Sequence, residues 1–170
     1  MARIVIIGNS GGGKSTLARK LSAGCDLPHV EIDRLLWRED WSQTPADVYE
    51  REHAAAVAGD RWIMDGWGRH VSAAARIGRA TEIILIDMPI WMHFWLAAER
   101  QIAWSRGEFE HPPAGVAQPP PTRALFETMW DIERNWMPAL RELCDRAEAE
   151  GKRVVRIASI EELDRFAAAI

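Results

Sequence analysis

Gly8-Asn9-Ser10-Gly11-Gly12-Gly13-Lys14-Ser15, followed by Thr16, is the stretch of this sequence that decides the fold. It has the form G-x-x-x-x-G-K-[ST] of the phosphate-binding P-loop. The short apolar, β-branched run at 3–7 predicts a buried strand before the loop. Leu17, Ala18 and Leu21 recur at helical spacing after it. Because strand, loop and helix agree, we interpret the stretch as a phosphate site and not as an unliganded glycine-rich turn.

Each part of this loop has a physical role in holding phosphate. Glycines let the backbone turn tightly and point its N–H groups at an oxyanion, and the helix N-terminus adds partial positive charge. Lys14 is expected to reach the β- and γ-phosphates of a nucleotide, and the Ser15 hydroxyl is expected to bind Mg²⁺. The predicted nucleotide-binding residues are therefore Gly8, Asn9, Ser10, Gly11, Gly12, Gly13, Lys14, Ser15 and Thr16.

Length and cysteine content limit the class of protein. The 170 residues fit a single domain with a proper core, spanning 1–170. No apolar run approaches the roughly 20 residues that cross a bilayer, and the first strand begins too early to leave room for a signal peptide. The two cysteines, Cys25 and Cys144, form no CxxC pair, so neither a zinc site nor a disulfide scaffold is indicated. We therefore expect a cytoplasmic protein with no membrane partner.

Charge and aromatic content bear on the partners. The formal net charge of -4 argues against a broad DNA-binding face, although segregated charge leaves a local basic patch open. Nine tryptophans accompany a single tyrosine. Some are expected in the core, and others could line a pocket for a planar ligand such as a nucleobase, so both interpretations stay open. The sequence does not determine the oligomeric state.

Strands alternate with helices along the chain, which predicts an α/β fold with a largely parallel sheet. The predicted strands lie at 3–7, 29–33, 61–65, 82–87 and 153–157. Further helices are predicted at 45–58, 69–79, 90–105 and 122–150, the last with a bend near Pro138. Two capping boxes are predicted, one from Thr44, Pro45 and Asp47 and one from Ser159 and Glu162 at the final helix.

The predicted helix at 90–105 is followed by a proline-rich segment. One stripe of this helix is apolar and is predicted to face the core; it consists of Trp91, Phe94, Trp95, Ala98 and Ile102. The segment after the helix has no sustained apolar period. We predict that it forms a mobile, lid-like loop at about 106–122.

Acidic residues stand at the carboxyl ends of three predicted strands. Because ligands bind at this edge of a parallel sheet, Asp33, Asp65 and Asp87 are expected near the P-loop. Asp65 is the candidate that holds Mg²⁺ together with Ser15, through water. Asp33 is the candidate that orients or deprotonates an acceptor hydroxyl. For each acid, a helix cap or a solvated loop position is the alternative, most of all for Asp87, which precedes a proline by two positions.

Arginines near the same edge are candidates for binding negative charge. Arg100 and Arg106 flank the start of the predicted lid and are assigned, with Lys14 and Asp33, to catalysis. On the acceptor side, the assigned binding residues are Asp33, Arg34, Trp37, Arg69 and Arg76. A solvated surface charge is the alternative for each arginine.

These residues together resemble the adenylate-kinase-like P-loop proteins of the DNA topology modulation, or FlaR-related, group. The similarity extends from residue 3 to about residue 105. It is carried by 8–21, Leu27-Pro28, Glu31-Ile32-Asp33, Trp37, Trp41, Trp62-Ile63-Met64-Asp65-Gly66, Arg76, 83–87, Pro89 and Trp91. The resemblance implies a nucleoside-monophosphate-kinase fold with strand order 2-3-1-4-5 and a lid. It also implies binding of ATP with Mg²⁺, phosphorylation of a small acceptor, and an effect on DNA.

The chain departs from the pattern of that group on the acceptor side. Trp67-Gly68 stands where Asn-Tyr is usual, and Thr81 where an acid is usual. Ile90 and Leu96 stand where arginines are usual. Three interpretations follow: a small-molecule kinase using MgATP, a nucleotide-dependent regulatory protein without a fixed acceptor, and a DNA-interacting protein with a nucleotide effector. The acceptor itself is not identifiable from the sequence.

Overall fold

Five parallel strands form a single sheet in the order β2-β3-β1-β4-β5 in the computed structural model, which describes residues 2–112 and 118–170. The strands are β1 Arg3–Gly8, β2 His29–Glu31, β3 Trp62–Asp65, β4 Glu82–Ile86 and β5 Arg153–Ile157. Every neighbouring pair is parallel, as the alternation of strands and helices predicts. The predicted α/β class and the order 2-3-1-4-5 are both confirmed.

In residues 2–112 and 118–170, eight α-helices connect the strands or follow them. They are α1 Lys14–Cys25, α2 Ile32–Leu36, α3 Ala46–Val57, α4 His70–Arg79, α5 Ile90–Ser105, α6 Thr122–Asp131, α7 Met137–Ala149 and α8 Ile160–Ala168. A π-helical turn, Ile132–Trp136, separates α6 from α7. This interruption of the predicted helix at 122–150 comes just before Pro138, where a bend was expected.

Two apolar cores lie on opposite faces of the sheet, which gives three layers. Successive residues of β1 alternate between them because strand side chains point to opposite faces. Ile4 and Ile6 pack in the core that α1 and α8 cover. Val5 and Ile7 pack in the core that α3, α4 and α7 cover. All four side chains are buried, so β1 is a central strand and its carboxyl end delivers the P-loop between the two layers.

Two local predictions are wrong. The second strand ends at Glu31, two residues early, because Ile32 begins the short helix α2; Asp33 therefore lies in the first turn of a helix rather than at the end of a strand. The capping box at Thr44, Pro45 and Asp47 does not form, since α3 begins at Ala46 and has no side-chain cap. Pro45 occupies the capping position, and the Thr44 N–H donates to the Leu36 carbonyl in the preceding turn. By contrast, the Ser159 hydroxyl caps α8 by accepting from the Glu162 N–H, as predicted.

The apolar stripe of α5 does not face the core, contrary to the prediction. Trp91, Trp95 and Ile102 are all exposed. Another side of the helix is buried instead, made of His93, Ala97, Gln101 and Trp104. The physical reason is the P-loop, against which α5 packs with small and polar residues: a Cβ at Gly11 would lie only 3.2 Å from the Cβ of Ala97.

The predicted lid-like loop at 106–122 is described in part, because residues 113–117 lie outside the described residues. Its far side is attached to the body of the protein. The Trp41 indole donates to the Gln118 carbonyl at 3.3 Å, and the Gln101 side chain donates to the Pro120 carbonyl at 3.0 Å. In the described parts of the chain, no helix is both long enough and apolar enough for a bilayer crossing.

Candidate active site

The P-loop runs from the end of β1 into α1 with two backbone features that require glycine. Gly8 has φ +145°, and a Cβ there would collide with the Ile86 carbonyl oxygen of the neighbouring strand. Gly13 has φ +75° and stands at the N-cap of α1, where no side chain caps the helix. The first-turn N–H groups of α1 therefore keep their capacity to donate to a phosphate. This cradle, which side chains would fill, fits the nucleotide phosphates predicted from the sequence.

The Lys14 ammonium group lies within the loop that it follows. Its Nζ donates to the Asn9 carbonyl at 2.6 Å. Burial lowers the pKa of Lys14, while the carboxylates of Asp33 and Asp65 oppose that shift and the Arg100 charge adds to it. Lys14 is thus surrounded by the acids and the arginine that the sequence assigned to the same site.

Ser15, Asp65 and His29 form a continuous hydrogen-bonded chain across the sheet edge. The Ser15 hydroxyl donates to Oδ2 of Asp65 at 2.5 Å, and Nε2 of His29 lies 2.6 Å from Oδ1. Because a carboxylate only accepts, the His29 ring nitrogen is the donor. Asp65 is almost fully buried and uses both carboxyl oxygens in these bonds.

Ser15 and Asp65 are the residues that could hold Mg²⁺. A hydroxyl and a carboxylate are oxygen ligands of the kind that Mg²⁺ prefers, and nucleotide phosphates and water usually complete its shell. Within residues 2–112 and 118–170, no group of three or more His, Cys, Asp or Glu could hold a metal ion. One hydroxyl and one carboxylate fit a metal whose remaining ligands come from a bound nucleotide and from water.

Asp33 lies beside the backbone of the β3–α4 loop. A Cβ at Gly66 would be 3.1 Å from the Asp33 carboxylate, so the absence of a side chain there admits it. Asp33 is exposed to solvent, yet protein surrounds it closely enough that desolvation raises the pKa of its carboxyl. The positive charge of Lys14 lowers that pKa in part. A carboxylate with a raised pKa is a better proton acceptor than a solvated one.

Two arginines assigned to the acceptor side are engaged with the protein. Arg76 is fully buried; its terminal nitrogens contact Nε2 of His53 at 3.0 Å and donate to the carbonyls of Gly66 and Trp67 at 3.1 and 2.7 Å. Arg69 donates to the Thr44 carbonyl, and its guanidinium lies 5.6 Å from the Tyr49 ring centroid. In each of them the Nε atom is buried without a partner among the described residues.

The remaining assigned residues differ in their distance from the P-loop. Arg100 approaches it, with a terminal nitrogen 3.5 Å from the Ser10 hydroxyl and an electrostatic interaction with Asp33. Arg34 is exposed and pairs with Glu31 at 3.7 Å. Arg106 is exposed at the C-terminal end of α5 and has no ion pair to any described residue. Of these three arginines, Arg100 is the one with a contact to the P-loop among the described residues.

Asp87 belongs to a separate ion-pair cluster. Arg141 of α7 donates to both of its carboxyl oxygens, at distances of 2.7 to 3.1 Å, and also to Glu133 at 3.0 Å. These bonds tie the end of β4 to α7. Asp87 is thus occupied with holding the sheet to a helix.

Aromatic residues connect the acceptor-side loop to the start of the lid. Trp37 and Trp41 meet edge-on at 6.3 Å, and Trp41 lies 6.2 Å from Trp104, which in turn lies 5.2 Å from Phe109. A cavity of about 570 Å³ opens next to the P-loop on this side. It is lined by Thr16, Arg19, Lys20, Glu108, Phe109, Glu110 and His111.

Three residues at the site have roles that sequence reasoning missed. His93 Nδ1 of α5 bonds the Ser10 carbonyl at 2.9 Å. The Asn9 side chain donates to the Met129 carbonyl of α6 at 2.9 Å. Helices α5 and α6 therefore both bond the P-loop. His29 supports Asp65 from the neighbouring strand. No local motif marks these contacts, which join residues 36 to 120 positions apart.

Comparison with solved structures places the fold among those of P-loop kinases. A gluconokinase from Sinorhizobium meliloti 1021 aligns over 99% of this chain and 94% of its own, with TM-score 0.53 and 16% sequence identity. A shikimate kinase from Acinetobacter baumannii, solved in complex with shikimate, aligns over 99% and 90%, with TM-score 0.57 and 13% identity. No protein-family model and no curated protein sequence matches the chain. At such identities the similarity is one of fold.

Proposed function

We propose that this protein is a kinase that transfers the γ-phosphate of MgATP to the hydroxyl group of a small, nucleoside- or nucleotide-like acceptor. One observation carries the proposal: Lys14, Asp33, Asp65 and Arg100 converge on the P-loop and interact electrostatically with one another. A phosphate cradle alone would indicate binding. A carboxylate of raised pKa that interacts with Lys14 of that cradle supplies what transfer to a hydroxyl also needs.

Each residue of the proposed site has a separate role, set by its position. When bound, MgATP supplies the phosphoryl group and a cation that offsets its charge. The P-loop N–H groups and Lys14 would hold the phosphates, while Ser15 and Asp65 would hold the metal. Asp33 accepts the proton of the acceptor hydroxyl as its oxygen bonds to phosphorus and ADP leaves. Arg100 stabilises the negative charge of the transferred group.

We assign the nucleotide base to the cavity beside Thr16. Its volume of about 570 Å³ is of the size that small-molecule sites have, and Phe109 gives it an aromatic surface. The acceptor is assigned to the opposite side of Asp33, between the β3–α4 loop and Trp37. There, Arg34 is the exposed cationic side chain, whereas the Nε atoms of Arg69 and Arg76 are buried and have no partner among the described residues.

A second candidate function is a nucleotide-dependent regulatory protein, including one that acts on DNA. The observation that favours it is the bonding of Arg76. Its terminal nitrogens donate to His53 and to carbonyl groups of the protein rather than facing a ligand. If the acceptor-side arginines are structural, ATP can bind without a fixed acceptor. DNA binding would then fall steeply as salt rises, because phosphate contacts release counterions.

The deciding experiment measures ADP release with MgATP and a panel of nucleosides, nucleoside monophosphates, sugars and small acids. We expect one acceptor to raise the rate well above that with water. Lys14→Ala is expected to abolish nucleotide binding or transfer, since no other lysine lies in the loop. Arg146→Ala, which removes an exposed cationic side chain from α7, is the control and should retain activity. Tight ATP binding with no stimulation by any acceptor would favour the regulatory function.

A further inference from the structure

The apolar stripe of α5 lies on the surface of the protein. Trp91, Trp95 and Ile102 are 63%, 64% and 51% exposed. These positions follow one another by four and seven residues, so they share one side of the helix. A stripe with this spacing ordinarily packs against another surface, and within the described residues nothing covers it.

Helix α6 extends this surface with further aromatic residues. Phe94 of α5 stacks on Trp130 at 6.3 Å and lies 5.3 Å from Phe126. Trp130 is itself 47% exposed. We call the surface formed by Trp91, Phe94, Trp95, Ile102, Phe126 and Trp130 the aromatic face. Of the six large apolar residues that are exposed in the described parts of the chain, four lie in it.

Contacts on the other side of α5 prevent the helix from rotating to bury the aromatic face. His93 bonds the Ser10 carbonyl of the P-loop, and Gln101 bonds the Pro120 carbonyl. Ala97 packs where a Cβ at Gly11 would stand. Rotating α5 would break these contacts and disturb the phosphate cradle. These contacts of α5 therefore keep the aromatic face exposed in the described part of the chain.

We propose that a second copy of this chain covers the aromatic face, in a two-fold symmetric dimer. A fully buried aromatic side chain contributes about 150–250 Å². At their observed exposures, the three tryptophans alone offer about 300–400 Å², roughly half of the ~800 Å² that each partner buries in a standard interface. The face consists of apolar side chains, so two copies can meet at a two-fold axis without opposing like charges at its centre.

The charged residues around the aromatic face, and the net charge of the chain, favour a second copy of the protein over a lipid surface as the partner. Arg123 and Glu127 of α6 are exposed beside the face and carry opposite charges. Glu99 of α5 is also exposed and adds a second acidic group. A polar rim of mixed sign around an apolar centre is typical of protein interfaces. A net charge of -4 disfavours approach to an anionic bilayer.

The mass of the protein in solution tests the proposal without any nucleotide, and so independently of the proposed kinase activity. Light scattering coupled to size exclusion, over a range of micromolar concentrations, is expected to give twice the 19.2 kDa chain mass. Trp91→Glu and Trp95→Glu should each shift the mass toward that of one chain. Val71→Glu, at a 78% exposed position on α4, is the matched control and should remain dimeric.

Far-ultraviolet circular dichroism and thermal unfolding of each variant establish that it is folded. A folded Trp95→Glu monomer beside a dimeric Val71→Glu protein would support the interface. A wild-type protein that is monomeric throughout this range, or a dimer that persists in the Trp91→Glu/Trp95→Glu double variant, would overturn it. The proposal would also be overturned by a monomer that sediments with neutral phosphatidylcholine vesicles and loses this binding in Trp95→Glu. That result would assign the face to a lipid surface.

Discussion

Asp65 is held from two sides by residues that belong to different elements. Ser15 comes from the P-loop helix, which the motif locates, whereas His29 comes from β2. Strands β2 and β3 pair in a register that sets His29 opposite Ile63, so its side chain reaches Asp65 diagonally on the same face. The sequence could indicate Ser15 and Asp65, because each stands at a recognisable strand or helix boundary. It could not indicate His29, because strand register is a property of the folded sheet.

We predict that His29→Ala weakens Mg²⁺-dependent nucleotide binding. Removing the donor leaves Oδ1 of Asp65 without its hydrogen-bond partner. A hydrogen bond to a charged group contributes about 1.5–3 kcal/mol. This bond also orients the carboxylate toward the metal site, so its loss weakens metal binding. The Mg²⁺ concentration that half-saturates nucleotide binding should rise about tenfold in calorimetric titrations. His29→Gln keeps an N–H donor and should recover most of the loss. An unchanged Mg²⁺ dependence in His29→Ala would show that the bond serves only the fold.

Asp33→Asn is expected to abolish transfer while preserving ATP affinity. The amide has nearly the same shape but cannot accept the acceptor's proton, and loss of a general base typically costs 10²–10⁴-fold in rate. Calorimetry of ATP binding and the rate of acceptor phosphorylation separate the two effects. If ATP affinity falls with the rate, Asp33 acts on the donor side and the division of the site proposed above is incorrect.

At the scale of elements, the turn from β1 into the P-loop depends on one glycine. Gly8→Ala places a Cβ against the Ile86 carbonyl at a φ of +145°, which side chains rarely adopt. We expect the free energy of unfolding to fall by about 1–3 kcal/mol, measured by urea denaturation. Gly78→Ala is the control: that glycine lies in α4 with nothing within 4 Å of its Cβ position, so the variant should be stabilised by about 0.5–1 kcal/mol. Equal stability of the two variants would refute the argument.

Element boundaries were predictable where a local pattern sets them. Helix α5 begins at Ile90 and ends at Ser105, as its period and the proline before it predict, and Ser159 caps α8. The buried side of α5 was not predictable, since an apolar stripe indicates that something covers it without indicating what. Likewise, Thr44-Pro45-Ala46-Asp47 has the letters of a capping box, but the turn that joins α2 to α3 uses the Thr44 backbone instead.

At the scale of the whole molecule, the layered α/β class follows from alternating strands and helices, whereas the strand order came from the resemblance. A crossover can place the next strand on either side of the previous one, so periodicity does not fix 2-3-1-4-5. The contacts that hold the acceptor half together are equally non-local. Arg76 of α4 joins His53 of α3 to the β3–α4 loop through Gly66 and Trp67. The sequence indicated Arg76, but not its partners.

The His53–Arg76 contact makes the stability of the protein depend on pH. Burial and the adjacent Arg76 charge lower the pKa of His53 from 6.5 to about 4, and Tyr49 stacks on the other side of the ring without charge. The unfolded chain binds a proton at His53 below pH 6.5, and the folded protein does so only near pH 4. Stability from this group is therefore complete above pH 6.5 and is lost as the pH falls toward 4.

We expect the free energy of unfolding to decrease by up to about 3 kcal/mol across that interval, measured by urea denaturation at a series of pH values. His53→Gln keeps a hydrogen-bond acceptor for Arg76 but does not titrate, so its pH dependence over the interval should be shallower by the same amount. Parallel pH profiles of the two proteins would mean that His53 binds its proton as readily in the folded protein as in the unfolded chain. Below pH 6.5, Arg76 would then hold the β3–α4 loop through the Gly66 and Trp67 carbonyls without an acceptor at His53.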